Sequence, residues 1–316
     1  MKIIKCASLD TVDAVTIDVE STFTRGLPSF TIVGMISTSI NESKDRVKSA
    51  LLLNGFKFPA LKITVNLSPS ELNKKGTHFD LAIALQIALN EEKKFDFEDI
   101  YYFGELALDG TIKDTNSIFP IILSLTKKNE INRVLVCKDS AKKLSNIPNI
   151  EIYCVKDLNE AIEFVKSENK NAYLFEKNSF EFESLELDEK KYFYDLNYKD
   201  DFYDVMGQEM AKFAALVSAS GNHNMILEGS PGCGKSMIAK RVQYIMPPMS
   251  LEEILEKAKL QALDFKEVDF VPKRAFRTPH HSSTKSSIFG GGVIFNKRCE
   301  YSIKDATDFI IFNEIN

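Results

Sequence analysis

Residues 229–236 read Gly229-Ser230-Pro231-Gly232-Cys233-Gly234-Lys235-Ser236 and fit the spacing G-x-x-x-x-G-K-[ST] at every fixed position. Three glycines let such a loop fold into a nest of backbone N–H groups, which suits phosphate oxygens. A helix that starts there adds its positive end. Lys235 can then reach the β- and γ-phosphates of a nucleotide, and the Ser236 hydroxyl can ligate Mg²⁺. A glycine-rich turn with a chance lysine is the bland alternative. The context disfavours it, because a short apolar run (224–227, NMIL) precedes the loop and a helical pattern (237–245) follows. Cys233 lies inside the loop without an evident base and reads as a small loop residue, not a nucleophile.

A phosphate loop of this kind works with a second apolar strand that ends in acids. Residues 308–316 (DFIIFNEIN) supply the apolar run Phe309, Ile310, Ile311 and Phe312. Glu314 then stands where a water-activating carboxylate would sit. Asn313 takes the place of the Mg²⁺-supporting aspartate; it keeps a lone pair but loses the charge that attracts a divalent ion. The alternative is a plain core strand with Glu314 as a surface acid. His280-His281 is the only histidine pair, and adjacent side chains diverge, so a shared metal is not expected. Arg274, Arg277, Lys285, Lys297 and Arg298 give the same region a local basic excess. A solvated loop and a DNA-facing patch fit it equally. The acids at 252–256 read as one solvated helix face.

The elements that must position these groups alternate between strand and helix. Residues 14–20 (AVTIDVE), 30–33 (FTIV), 62–67 (KITVNL) and 133–137 (RVLVC) are short β-branched runs. Ser39 with Glu42 reads as a capping box opening a helix whose apolar face holds Ile40, Val47 and Leu51. Gly55 and Pro59 then stop it. Residues 79–89 (FDLAIALQIAL) are apolar nearly all round and predict a buried helix. Residues 166–200 are charged and aromatic without Gly or Pro, a linker with one edge strand or hairpin. A helix over 210–219 opens a second α/β segment.

The chain has 316 residues, enough for about two domains. No apolar run approaches the ~20 residues needed to span a bilayer, so no membrane partner is expected. The net charge of −5 gives no global drive toward nucleic acid. Five separated cysteines suggest neither a zinc site nor a disulfide framework, and fit a reducing cytoplasm.

Several segments together carry a family resemblance. They are GLPSFTIVG (26–34), ESKDRVKSAL (42–51), ITVNLSPSELNKKGTHFDLAIAL (63–85), GELALDG (104–110), DVMGQEMAK (204–212), GNHNMILEGSPGCGKSMIAKR (221–241), FRTPHHS (276–282) and FGGG (289–292). The chain resembles the YifB/ComM group of bacterial magnesium-chelatase-like AAA+ proteins, which carry a Lon-protease-like N-terminal domain. The resemblance implies an α/β fold: a Lon-like α/β domain over 1–165, a linker over 166–200, and the N-terminal part of a P-loop AAA+ α/β domain over 201–316. It implies ATP and Mg²⁺ as cofactors, with Gly207 and Gln208 near the adenine and residues 229–236 on the phosphates. It also implies a homo-oligomer, a hexamer when complete, acting on DNA in branch migration and natural transformation.

Two departures qualify that expectation. The family's second acidic motif runs close to GVLFLDE, where this chain has DFIIFNE, with Asp308 for glycine and Asn313 for aspartate. The chain is also expected to stop before a sensor, an arginine finger and a helical lid. A nucleotide-binding remnant without turnover, or one part of a split ATPase, is therefore the alternative to an active motor. In the Lon-like fold the nucleophile position falls on His78 and the lysine position near Phe119. A histidine with no nearby nucleophile and a phenylalanine make no Ser–Lys dyad, so a non-proteolytic scaffold is expected. Ser68 and Ser70 flank Pro69, which reads as the turn at a helix start.

Overall fold

β4 (Lys62–Ser68) is the simplest element to derive. Ile63, Val65 and Leu67 are fully buried and alternate with more exposed residues, as a half-buried strand requires. In the computed structural model, residues 2–92, 97, 99–177, 180–277 and 309–310 are described. They fall into two units, one of Met1–Phe180 with Lys259–Val268 and the other of Glu181–Ala258 with Asp269–Asn316.

The first unit is a mixed sheet flanked by helices. Its other strands are β1 (Ile4–Asp10), β2 (Asp13–Thr24), β3 (Ser29–Val33), β5 (Tyr101–Tyr102), β8 (Arg133–Val136) and β9 (Glu151–Cys154). The order is β3-β4-β2-β1-β5-β8-β9. β2 pairs antiparallel with both β1 and β4, and the other pairings are parallel. A two-stranded pair, β6 (Glu105–Leu106) and β7 (Ile112–Lys113), lies apart from it in the ladder. The parallel half carries α4 (Ile118–Lys127), α5 (Lys138–Leu144) and α6 (Leu158–Lys166). Chain order here is strand, helix, strand, helix, as parallel neighbours demand.

α3 (Asp80–Ala88) is the central helix, with eight of its nine residues buried, as the all-round apolar pattern predicts. Its one charge, Asp80, is fully buried. It accepts from Arg46 Nε at 2.7 Å and Arg46 Nη2 at 3.1 Å, and from the Leu106 N–H at 3.3 Å. Arg46 comes from the preceding helix, which differs from the expected one. It is broken into α1 (Thr38–Asn41) and α2 (Ser43–Leu53), and Ser37, not Ser39, stands at the first N-cap. The Ser37 and Ser39 hydroxyls bond each other at 2.8 Å, so no capping box forms with Glu42. Gly55 does end the run, at φ +81°. Pro69 opens no helix. β4 ends at Ser68, and the chain stays irregular until Asp80, held by the Lys74 ammonium on the carbonyls of Gly34, Pro69 and Leu72.

In the second unit the charged, aromatic stretch forms a hairpin, β10 (Glu183–Leu187) with β11 (Lys190–Tyr194). Its turn residues Asp188 and Glu189 both have positive φ, 48° and 63°, the geometry that matches strand twist. β12 (Met249–Ser250) adds to β11. α7 (Glu209–Gly221) and α8 (Lys235–Ile245) pack through Ala215, Ala219, Ile238 and Val242, with Val205. The acids at 252–256 are not one solvated face. α9 (Leu251–Leu263) starts on a reciprocal cap, in which Ser250 N–H donates to Glu253 and Glu253 N–H donates to Ser250 Oγ. Glu253 also holds Arg274 through two bonds, at 2.7 and 3.3 Å. β13 (Phe276–Arg277) pairs in parallel with β14 (Phe309–Ile310), so the second apolar strand does form at its start.

The run 224–227 is not a strand, contrary to expectation. Met225 and Leu227 pack on the α7–α8 core, while Ile226 is 92 % exposed and the segment joins no ladder. Among the described residues no strand pairs with this segment.

Candidate functional site

The phosphate loop runs from the extended segment into α8. Gly229, Gly232 and Gly234 have φ of +157°, +83° and +93°. At Gly232 and Gly234 these values lie in the left-handed region, where side chains are strained, and the space around both positions is open. Gly234 caps α8, and the first helical bond runs from the Ile238 N–H to Gly234 O at 3.0 Å. The earlier N–H groups of the turn carry no intrahelical acceptor. They form the positive rim of a concave backbone with no Cβ in the way.

Lys235 closes this loop from within. Its Nζ donates to Gly229 O at 2.7 Å and to Ser230 O at 3.0 Å, and lies 3.9 Å from Cys233 Sγ. The ammonium is therefore held across the loop mouth by weak neutral acceptors that a phosphate would outcompete. Ser230, Pro231 and Ser236 are exposed, and Cys233 is half-buried. Gln208 reaches the same loop: its Nε2 donates to Cys233 O at 3.3 Å. Gly207 and Gln208 both take left-handed backbone, at φ 66° and 58°, just before α7. Residues 229–236 and 207–208 are thus brought together. Asn313 and Glu314 lie outside the described residues, as do His280, His281, Lys285, Lys297, Arg298 and the glycines at 290–292.

The residues present fit a magnesium nucleotide. A cradle of N–H groups, an ammonium at its mouth and a hydroxyl on the first turn of α8 are the donors a triphosphate and its metal take from protein. The described residues include no group of three or more His, Cys, Asp or Glu placed to hold a metal by themselves. A site that shares its ion with phosphate oxygens does not need one.

Some groups act where the sequence did not indicate them. Arg241, on α8, ties the helix to the segment before α7: it donates to Asp201 O at 2.8 Å and to Asp200 and Asp204, each at 3.1 Å. The acid-rich Asp200-Asp201 with Asp204 was the available signal. Arg274 also donates to the carbonyls of Pro247 and Pro248, so it is consumed inside the unit and cannot serve a DNA-facing patch. In the first unit, Phe119 is buried in α4. His78 does not lack a hydroxyl neighbour: Ser117 Oγ lies 3.0 Å from its Nδ1.

The mixed α/β fold and a glycine-rich loop of G-x-x-x-x-G-K-S spacing at the start of α8 are the features to set beside known families. Residues 201–312 match the family described as magnesium chelatase, subunit ChlI, and residues 19–140 match that of subunit ChlI of Mg-chelatase. The chain is 33 % identical over 312 residues to the competence protein ComM of Haemophilus influenzae, covering 95 % of this chain and 57 % of that protein. It is 35 % identical over 290 residues to YifB of Salmonella typhimurium, covering 90 % and 54 % respectively. YifB of Escherichia coli is 34 % identical over 289 residues, with 90 % and 54 % covered. The chain belongs to the YifB/ComM family of magnesium-chelatase-like proteins, and it spans about half the length of the curated relatives it matches. Among the described residues no helix is long and apolar enough to cross a membrane.

Proposed function

We propose that the chain binds ATP with Mg²⁺ through Gly229, Ser230, Pro231, Gly232, Cys233, Gly234, Lys235 and Ser236, as the nucleotide module of an oligomeric motor that remodels DNA. The observation that carries the binding step is Lys235 Nζ poised on Gly229 O and Ser230 O inside a glycine cradle. Mg²⁺, when bound with ATP, neutralises phosphate charge and orients the γ-phosphate. Lys235 leaves its two carbonyls for the phosphates. The Ser236 hydroxyl offers a metal ligand, and Asn313 a weaker one. Gln208 braces the loop through Cys233 O and lies near the base. Glu314 activates water. The DNA step rests on family and on the name "competence protein" borne by the Haemophilus relative. Three features of the reading come from the resemblance: a Lon-like domain over 1–165, a linker over 166–200 and a cytoplasmic setting. The Asn313 substitution favours a second reading, in which the chain holds nucleotide with little turnover.

Binding of a fluorescent ATP analogue with Mg²⁺, measured by anisotropy, tests the first step. Lys235→Ala removes a charge-assisted donor, worth about 1.5–3 kcal/mol, so Kd should rise at least about tenfold. Equal Kd values for parent and variant would reject the loop as the site. Steady-state phosphate release with and without branched DNA separates the two readings. Turnover that depends on Lys235 supports the motor, and tight binding without it supports the second.

A further inference from the structure

His78 and Ser117 meet inside the first unit in an arrangement that neither the nucleotide reading nor the family comparison uses. His78 is fully buried, its ring tilted against those of Phe79 and Phe103 at centroid distances of 4.4 and 6.0 Å. Its Nε2 lies 2.8 Å from Ala7 O. A carbonyl only accepts, so Nε2 carries the proton. Nδ1 is therefore the lone-pair nitrogen, and Ser117 Oγ donates to it at 3.0 Å. Thr115 Oγ1 donates in turn to Ser117 Oγ at 3.0 Å. Ser117 is half-buried at the N-terminal end of α4, where the helix favours negative charge. We propose that Ser117 and His78 form a nucleophile–base pair that takes an acyl group from small activated esters.

The geometry defines the chemistry and its limits. Ser117 Oγ attacks the acyl carbon while its proton passes to His78 Nδ1. The carbon–oxygen bond to the leaving alcohol breaks, and His78 returns that proton to the alkoxide. Water then cleaves the acyl-serine with His78 as base again. Ala7 O, a neutral carbonyl, orients the imidazole in place of a carboxylate. The transient imidazolium therefore lacks a countercharge, which restricts the pair to esters with good leaving groups and excludes peptide bonds. Gly76 restricts the substrate to small acyl groups: a Cβ there would come within 2.6 Å of His78 Nδ1 and 3.5 Å of Ser117 Oγ, so backbone packs closely over the pair.

The test is covalent labelling of the full chain with a small alkyl fluorophosphonate and with p-nitrophenyl acetate. Intact mass and peptide mapping follow the adduct. The phosphonate should add to Ser117 with loss of fluoride, and the acetate should give a burst of nitrophenolate near one equivalent. Ser117→Ala should abolish both signals, and His78→Gln should slow labelling at least tenfold. The urea-unfolded parent, which keeps Ser117 but not the pair, should label no faster than free serine. That control stands even if His78→Gln folds poorly. Absence of an adduct at Ser117 in the folded chain, or equal rates folded and unfolded, would overturn the assignment.

Discussion

Acid should loosen the first unit through His78. Burial drives its imidazole down from 6.5 to about 4, opposed only partly by the bond to Ala7 O. In the folded chain His78 stays neutral to that point, whereas in the unfolded chain it takes up a proton below about pH 6.5. The unfolded state then binds more protons, so stability falls as pH falls, from about pH 6.5 and fully by about pH 4. The complete loss is worth about 3 kcal/mol, of which about 2 falls between pH 7 and pH 5. Urea unfolding of the full chain at pH 7 and at pH 5, followed by far-UV circular dichroism, measures this directly. His78→Gln supplies the comparison: its amide can still donate to Ala7 O and accept from Ser117, but it does not titrate. Other groups contribute equally to both proteins, so the parent should lose about 2 kcal/mol more than the variant over that interval. Losses matching within about 0.5 kcal/mol would refute the assignment of a neutral, desolvated His78.

Further outcomes follow from particular positions. Gly34 has φ +116°, and a Cβ there would overlap the Leu67 carbonyl oxygen, so Gly34→Ala should cost about 2–4 kcal/mol in urea unfolding. Glu189→Gly should raise stability by about 0.5–1 kcal/mol, because glycine enters the left-handed turn of the β10–β11 hairpin without strain. Arg46→Ala strands the fully buried Asp80 carboxylate, and the loss should be about 3 kcal/mol at pH 7. An Arg46→Ala/Asp80→Asn double variant recovers part of it if the pair, and not local packing, is responsible.

What the sequence makes legible depends on how local the determinant is. The buried helix at 80–88, β4, and the helix that follows the glycine loop rest on composition within a dozen residues, and each stands where the pattern puts it. Ser39 failed as a cap because the helix starts one residue before it, so Ser39 lies within α1 and Ser37 holds the N-cap position. β5, two residues long, is identified by its pairing with β1 and β8, information absent from Tyr101-Tyr102 themselves. The site divides in the same way. Lys235 and the three glycines fall within one short segment, 229–235, so spacing alone finds them. The Gln208 bond to Cys233 O spans 25 residues and the Ser117 bond to His78 spans 39, and both need the fold to exist first.

The extended run 224–227 carries this argument one step further. Its apolar residues mark it as a strand, and two of them, Met225 and Leu227, already face the α7–α8 core. A strand, however, is completed by neighbours hydrogen-bonded along its edges, and among the described residues this run joins no sheet, while Ile226 is 92 % exposed. The loop behind it keeps its shape without that ladder, because Gly234 caps α8 and Lys235 grips Gly229 O and Ser230 O locally. The glycine cradle and the ammonium at its mouth are thus encoded by residues close together in the chain. On the proposed reading, Glu314 and Asn313 would reach the phosphates only from a strand seated in a completed sheet. Nucleotide affinity would then rest on Lys235 and turnover on sheet assembly, so Lys235→Ala should weaken binding whether or not phosphate release is seen.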